Sequence, residues 1–242
     1  MPRIYCPTEL RADMALALPE AAAKHVQVLR LQAGDALTLF NGQGGQYTAE
    51  VTRMHKHGVD ARVLAHEAIE CETPHAVHLA LGMPANERMD WLVEKATELG
   101  AASITPLMSA RTVVRLQGER AAKRVAHWQS IAISGAEQCG RNRVPIIYPV
   151  QALSSWLQGL AAPTPEEARW LLGFAPGAAT ASACTQPLCI LSGPEGGLTD
   201  EEEQWAQARG FSMRSLGPRV LRAETAALSA LSRATYPQGF AA

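Results

Sequence analysis

The sequence lacks the features that would place it in several common classes of protein. No apolar run approaches the roughly 18 residues that a membrane-spanning helix requires, and the chain does not open with the apolar core of a signal peptide. Its five cysteines form no Cys-x-x-Cys pair, and its histidines supply no complete set of metal ligands. We therefore expect a cytoplasmic protein with no membrane segment, no disulfide framework and no metal.

The chain also lacks a large net charge, but its charges are unevenly distributed. It has 22 basic and 23 acidic residues, which argues against binding nucleic acid through a uniformly basic surface. Between residues 88 and 143, however, nine basic residues stand against five acidic ones. A local positive surface favours a selective polyanionic partner such as RNA. A solvated helical face would give the same pattern.

Two glycine-rich segments near the C-terminus each follow a short apolar run. Residues 193–197 (GPEGG) follow a strand predicted over 188–192, and residues 216–226 (LGPRVLRAETA) follow a strand predicted over 213–216. Loops that leave the same edge of a parallel sheet form a pocket for a small ligand. We expect these two strands to be adjacent and buried.

The same region lacks the usual phosphate-binding patterns. There is no Gly-x-Gly-x-x-Gly motif and no Walker lysine, and four acidic residues at 200–203 fill the first turn of the helix that Thr199 begins with a capping box. Those carboxylates complement the helix dipole and would repel a phosphate. A ligand such as S-adenosylmethionine, with its sulfonium and adenosine, fits this charge pattern better.

The periodicity of apolar residues predicts an α+β chain of two domains. Residues 1–72 form a small β-barrel with one helix, and residues 73–242 form a mostly parallel sheet covered by helices. The predicted strands cover 36–40, 47–54, 59–64, 76–83, 103–108, 170–174, 188–192 and 213–216, and the predicted helices cover 21–31, 87–99, 119–139 and 222–236. Asn86 and Pro237 are expected to bound two of these helices.

Several segments resemble the RsmE family, the bacterial 16S ribosomal RNA uracil-N3 methyltransferases. They are the opening 2–5 (PRIY), 28–30 (VLR), 95–100 (KATELG), 136–145 (AEQCGRNRVP), 191–198 (LSGPEGGL) and 216–226. The resemblance implies a PUA-like RNA-binding barrel and a SPOUT-class α/β domain with a trefoil knot. It also implies S-adenosylmethionine as cofactor, 16S ribosomal RNA in the small ribosomal subunit as substrate, a part in ribosome biogenesis, and a homodimer whose second subunit completes the active site.

Carried over residue by residue, the resemblance assigns the site. The cofactor-binding residues are Leu172, Gly173, Leu191, Ser192, Gly193, Pro194, Glu195, Gly196, Gly197, Leu216, Gly217 and Leu221. Methylation of N3 requires a cation near the uracil oxygens and an acceptor for the N3 proton. We expect Arg222 or Arg219 to supply the cation, and Glu195 or Glu224 to take the proton or orient the base. A structural ion pair between Arg222 and Glu224 is the alternative.

A second group of basic residues is expected to contact RNA. Arg141 and Arg143 follow the long helix, where they could equally cap its C-terminus, and Arg3, Lys24 and Arg30 lie in the N-terminal domain. Two other functions fit the sequence. One is a SPOUT methyltransferase for transfer RNA or another ribosomal position, and the other is a non-catalytic RNA-binding or ribosome-assembly protein.

Overall fold

The structure, a computed structural model, describes residues 1–85, 87–174, 178–182 and 184–236. These residues form two compact units. The first contains Met1–Glu72 and Ile133–Val144, and the second contains Thr73–Ala132 and the described residues from Pro145 onward. The domain boundaries given above stay a prediction, to which the structure adds that a later segment packs within the first unit. No helix in these described ranges is both long and apolar enough to cross a membrane.

A five-stranded sheet and one helix form most of the first unit. Its elements are β1 (Arg3–Tyr5), β2 (Ala15–Ala17), α1 (Glu20–Val28), β3 (Ala36–Phe40), β4 (Gln46–His55) and β5 (Gly58–Glu67). The strand order is β1-β3-β4-β5-β2, in which β1 pairs parallel with β3 and the other pairs are antiparallel. Alternate side chains of β3, β4 and β5 pack with the apolar face of α1, where Ala22, Ala23 and Val26 are buried.

The second unit is a parallel sheet with helices. Its elements are β6 (Val77–Gly82), α2 (Arg88–Glu98), β7 (Ser103–Met108), α3 (Gly118–Cys139), β8 (Ile146–Ile147), β9 (Gln151–Ala152), α4 (Leu153–Gly159), β10 (Ala168–Leu172), β11 (Ala179–Thr180), β12 (Leu188–Ser192), α5 (Asp200–Ala208), β13 (Ser212–Ser215) and α6 (Ala223–Thr235). The order is β11-β13-β10-β12-β6-β7-β8, and β9 also pairs with β7. The last turns of α3 belong to the first unit.

Local signals in the sequence fix several helix ends. Gly100 and Gly140 follow α2 and α3 with φ of 90° and 88°, a conformation that glycine adopts without steric cost. Thr199 begins α5 with the predicted capping box: its side chain accepts from the Glu202 N–H, and Glu202 accepts from the Thr199 N–H. The predicted capping box is thereby confirmed.

Other predictions were wrong or incomplete. Strands β12 and β13 are not adjacent, because β10 lies between them, and β13 is only partly buried. Helix α1 ends at Val28, before the predicted 31, since Arg30 adopts a left-handed φ of 58° that stops the helix. The short β1 and β2 were not predicted. The expected helix boundaries Asn86 and Pro237 lie outside the described residues.

Candidate active site

Three neighbouring parallel strands end at the same level of the sheet. Leu172 at the end of β10 lies opposite Ser192 at the end of β12 and opposite Arg214 in β13. The segment 172–173 therefore leaves the sheet between the two glycine loops predicted from the sequence. The carboxyl edge of such a sheet is where α/β proteins bind small ligands.

The three loops line one cavity of about 560 Å³. Of the expected cofactor-binding residues, those that line it are Leu172, Gly173, Ser192, Gly193, Pro194, Glu195, Gly197, Leu216, Gly217 and Leu221. Leu191 and Gly196 are not among its lining residues. The side chain of Leu191 is fully buried in the core beneath the sheet edge, and Gly196 packs against Arg111. The roles of all these residues stay predictions.

Close backbone approach explains the glycines of this edge. A Cβ atom at Gly193 would lie 2.9 Å from the carbonyl carbon of Gly197, across the same turn. One at Gly82, where β6 ends, would lie 2.5 Å from Cδ of Pro194. Gly197 and Gly217 have φ of 70° and 112°. The 193–197 turn is therefore pressed against the end of β6, and larger residues at these positions would displace it.

Glu195 is held by the segment that follows β6. Its Oε1 accepts from the Ala85 N–H at 3.0 Å and from Nη1 of Arg88 at 3.1 Å. Partial burial opposes ionisation, but these hydrogen bonds and the charge of Arg88 outweigh it and hold the pKa of the Glu195 carboxyl below its usual range. A carboxylate with a lowered pKa is a poor proton acceptor, so Glu195 is better suited to fix this loop and to place a negative charge in the cavity.

The other side of the glycine turn is anchored by Arg111 and by helix α5. Nη1 of Arg111 donates to the carbonyl oxygens of Gly196 at 2.9 Å and Leu198 at 3.0 Å. Glu202, whose other oxygen completes the capping box, accepts from the Ala110 N–H at 2.7 Å. The N-terminus of α5 is thus occupied by the protein's own carboxylate, which leaves little there for a phosphate to bind.

Arg219, Arg222 and Glu224 follow β13 toward the last helix. Arg219 and Arg222 are exposed, and both line the cavity. Arg222 is the N-cap residue of α6, without a side-chain capping bond. Glu224 is only 6% exposed and lines a second cavity, of about 630 Å³, which shares Arg88, Val220, Leu221 and Arg222 with the first. No hydrogen bond or ion pair between Arg222 and Glu224 is formed in the described part of the chain.

Three charged residues of the cavity were missed at the sequence level: Arg88, Glu203 and Arg214. Arg88 was noted only as part of a basic window, and Arg214 lies within a strand, where nothing marks a ligand-facing side chain. Glu203 was attributed to helix capping. Burial and the nearby charge of Asp200 raise the pKa of Glu203. Among the described residues no three His, Cys, Asp or Glu side chains cluster in a way that could hold a metal ion.

The expected RNA-binding residues lie in the first unit and differ in exposure. Lys24 and Arg30 are exposed, and the side chain of Arg143 is 53% exposed, 3.8 Å from Glu70. Arg141 is buried, and its guanidinium donates to both oxygens of Glu72 at 2.6 and 2.9 Å. Arg3 donates to Oδ1 of Asn142 at 2.7 Å. These bonds favour a structural role for Arg141 and Arg3 over the RNA contact, which stays a prediction.

Comparison with known proteins decides the family. Residues 71–235 match a family model described as RNA methyltransferase domain, and residues 18–64 match one described as RNA methyltransferase PUA domain. Ribosomal RNA small subunit methyltransferase E of Bacillus subtilis is 33% identical over 218 residues, which cover 87% of this chain and 85% of the relative. The chain belongs to the ribosomal RNA small subunit methyltransferase E family. The family predicted from the motifs is thereby confirmed.

Two solved structures are similar over nearly the whole chain. The methyltransferase E of Neisseria gonorrhoeae, bound to S-adenosylmethionine, is 35% identical with a TM-score of 0.88, and covers 96% of this chain and 95% of its own. A Legionella pneumophila protein in complex with the same cofactor is 37% identical with a TM-score of 0.87, and 95% of each chain is covered. The fold of this family member is therefore mixed α/β with a PUA-like N-terminal domain.

Proposed function

We propose that this chain transfers the methyl group of S-adenosylmethionine to N3 of a specific uridine in the 16S ribosomal RNA of the small ribosomal subunit. The observation that carries the proposal is the cavity at the ends of β10, β12 and β13, lined by the three segments that the motifs single out. Two relatives with the same fold hold this cofactor, and the named relatives modify small-subunit ribosomal RNA.

The residues of the cavity fit the cofactor. Its volume of about 560 Å³ is within the range of pockets for molecules of this size. Glycines of both turns line the cavity and let the backbone come close to the edge of adenine, and Leu172, Leu216 and Leu221 supply apolar surface for its faces. The carboxylates of Glu195 and Glu203 suit the sulfonium and the amino group, while the arginines at 88, 214 and 219 suit the carboxylate.

When bound, the cofactor supplies an electrophilic methyl group on a positively charged sulfur. The chain's own residues prepare the uracil ring. Loss of the N3 proton spreads negative charge onto the flanking carbonyl oxygens, and Arg222, with Arg219 as the alternative, places a guanidinium where it can stabilise that charge. Because Oε1 of Glu195 accepts from both Ala85 and Arg88, and the pKa of this carboxyl is lowered, Glu224 is the better of the two carboxylates to accept the proton.

The finer features of the fold are part of the same proposal. We infer that the strands of the first unit close into a barrel and that the second unit carries a trefoil knot. Two observations support the knot. Strand β12 lies between β6 and β10 in the sheet. Helix α6, which follows β13 in the chain, packs against α2, β6 and β12, and these two strands are separated from β13 by β10. A chain threaded through the loops after β10 and β12 would follow this course.

The assembly and location also belong to the proposal. We infer a cytoplasmic homodimer in which a second copy approaches the cofactor loops. Arg111 donates to the carbonyl oxygens of Gly196 and Leu198 in one of these loops. Val113, two residues further along the chain, is 79% exposed, and such an apolar side chain can be buried against a second copy. Light scattering with Val113→Asp, against Val28→Asp in the first unit as control, tests that contact: only the former should lower the mass of a dimer.

The decisive experiment supplies labelled S-adenosylmethionine and small ribosomal subunits that lack the modification, with free 16S RNA and transfer RNA alongside. Nucleoside mass spectrometry should find N3-methyluridine in the subunit RNA. Label in transfer RNA, or another methylated nucleoside, would contradict the proposed substrate. Within the same assay, Arg222→Ala should abolish transfer and leave cofactor affinity within about twofold, because Arg222 is assigned to the uracil oxygens.

A further inference from the structure

A second cavity opens beside the cofactor cavity, between the beginnings of α2 and α6. Its volume is about 630 Å³, and α2 contributes Glu87, Arg88 and Trp91. The other side is formed by Val220, Leu221, Arg222, Glu224 and Thr225, at the start of α6. Because the two cavities share Arg88, Val220, Leu221 and Arg222, a ligand in the second would adjoin one in the first.

One wall of this cavity is apolar and aromatic. Trp91 lies on α2, two residues after the buried Met89, and is 47% exposed, while Val220 is 82% exposed. An indole ring that is exposed to solvent leaves apolar surface in contact with water, and a flat partner that stacks on the ring removes this cost. Unstacked bases of single-stranded RNA are such partners, since their faces stack on aromatic side chains.

The other wall contains a buried carboxylate with an unused oxygen. Glu224 is 6% exposed, and its Oε2 has no hydrogen-bond partner among the described residues. A buried carboxylate oxygen without a donor is costly, so its retention calls for a ligand that donates a proton to it. Helix α6 also begins here without a side-chain capping bond, so its first N–H groups can stabilise negative charge.

We propose that this second cavity is the subsite for the target base, with the indole of Trp91 as its stacking surface and Oε2 of Glu224 as the acceptor of its imino proton. The inference rests on the proposed function and specifies where its substrate binds. A uracil placed here presents one face to Trp91 and its N–H edge to Glu224. The carbonyl oxygens that flank that edge meet Arg222, at the border with the cofactor cavity.

The step balances within these groups. The N3–H bond breaks, the proton passes to Oε2 of Glu224, and the electron pair of that bond stays on the ring. The pair then forms the N3–methyl bond while the methyl–sulfur bond breaks and its electrons remain on sulfur. The proton on Glu224 is afterwards returned to solvent, which restores the carboxylate.

Two variants test the subsite, and each is paired with a control of the same chemistry. Trp91→Ala is compared with Trp205→Ala, which removes another partly exposed tryptophan, 43% exposed, on α5. Glu224→Gln is compared with Glu201→Gln, which removes an exposed first-turn carboxylate from α5. For each variant and control, the measurements are kcat and KM with unmodified subunits, the Kd for S-adenosylmethionine, the melting temperature and the mass in solution.

We expect Trp91→Ala to raise KM for subunits about tenfold to hundredfold, and Trp91→Phe to retain most of the affinity. Glu224→Gln should lower kcat at least about a hundredfold with KM unchanged. Cofactor Kd and mass should stay those of the wild type, and both controls should behave as wild type.

The inference is overturned if Trp91→Ala and Trp205→Ala have the same kinetics. It is also overturned if Trp91→Ala lowers the mass of a dimer, because another copy of the chain would then cover the indole. If Glu224→Gln and Glu201→Gln have the same kinetics, Glu224 does not accept the proton, and its carboxylate only complements the dipole of α6. Absence of methyl transfer by the wild type would instead refute the proposed function, and the subsite with it.

Discussion

Arg88 and Glu195 join two elements that are far apart in sequence: Nη1 of Arg88, at the start of α2, donates to Oε1 of Glu195 in the glycine turn after β12 at 3.1 Å. The Ala85 N–H reinforces the contact. This pair fixes the position of the turn relative to the end of β6, and both residues line the cavity that we propose for the cofactor.

The pair should make stability depend on pH in a defined window. Because the pKa of Glu195 in the folded chain is below its ordinary value of 4.5, the stabilisation is complete above that value and is lost as the pH falls through the lowered pKa. Glu195→Gln should therefore cost less than about 1 kcal/mol, the range of a solvent-screened ion pair, at neutral pH. Urea titrations of wild type and variant should converge once the pH is below that lowered pKa. A difference that persists in acid would contradict the assignment.

Gly82→Ala should disturb the cofactor site from outside it. The added methyl group would lie 2.5 Å from Cδ and 2.6 Å from N of Pro194, so the 193–197 turn must shift. We expect a loss of about 1 to 3 kcal/mol in the free energy of unfolding and at least a tenfold increase in cofactor Kd, measured by calorimetry. Gly159→Ala is the matched control, since nothing lies within 4 Å of its Cβ and alanine in α4 should lower neither stability nor cofactor affinity.

Arg111→Ala should loosen the same turn from its other side. The substitution removes two hydrogen bonds, to the carbonyls of Gly196 and Leu198, and leaves the cavity lining intact. Cofactor Kd should rise about fivefold to tenfold because the turn must be ordered on binding. Arg115→Ala, which removes a bond to the Ala110 carbonyl, is the control. Equal effects of the two substitutions would show that the Arg111 anchor does not organise the site.

Substitution of Arg141 should affect mainly stability, whereas substitution of Arg143 should affect mainly RNA binding. Removing the Arg141 guanidinium leaves Glu72, only 18% exposed, without its partner, which should cost about 3 kcal/mol. Arg143→Ala should cost little stability, because its pair with Glu70 is long and exposed. If the predicted RNA contact of Arg143 exists, its loss should reduce the salt dependence of RNA affinity by about one phosphate contact. An unchanged salt slope in both variants would leave no RNA contact at either position.

The sequence predicted the elements that carry strong local signals and missed what depends on distant partners. Strands β3, β7 and β12 were placed to the residue because apolar runs ended at turn residues. The position of β10 between β12 and β13 was not predicted, since strand order reflects packing over the whole sheet. Most residues of the cavity at the ends of β10, β12 and β13 could be predicted from the glycine loops, whereas Arg88 and the unpartnered oxygen of Glu224 required the contacts themselves.

The first unit is completed by a segment far downstream of it. Glu137 accepts from the Tyr5 N–H at 2.8 Å and lies 3.1 Å from Nδ1 of His25, and Asn142, fully buried, donates to the Ile69 carbonyl at 2.6 Å. A fragment of residues 1–72 would lack these partners, and it would also lack Arg141, which pairs with Glu72. We expect that fragment to be unstable, and fusing 133–144 to it to restore cooperative melting.

The same interleaving sets an order for synthesis. Domains usually fold as units as they leave the ribosome, beginning with the N-terminal one. Here the first unit cannot close until residue 144 has been made, by which time residues 73–132 of the second unit have already been translated. Residues 1–72 must therefore remain incompletely folded until residues 133–144 have been translated, and nascent-chain proteolysis should record that delay.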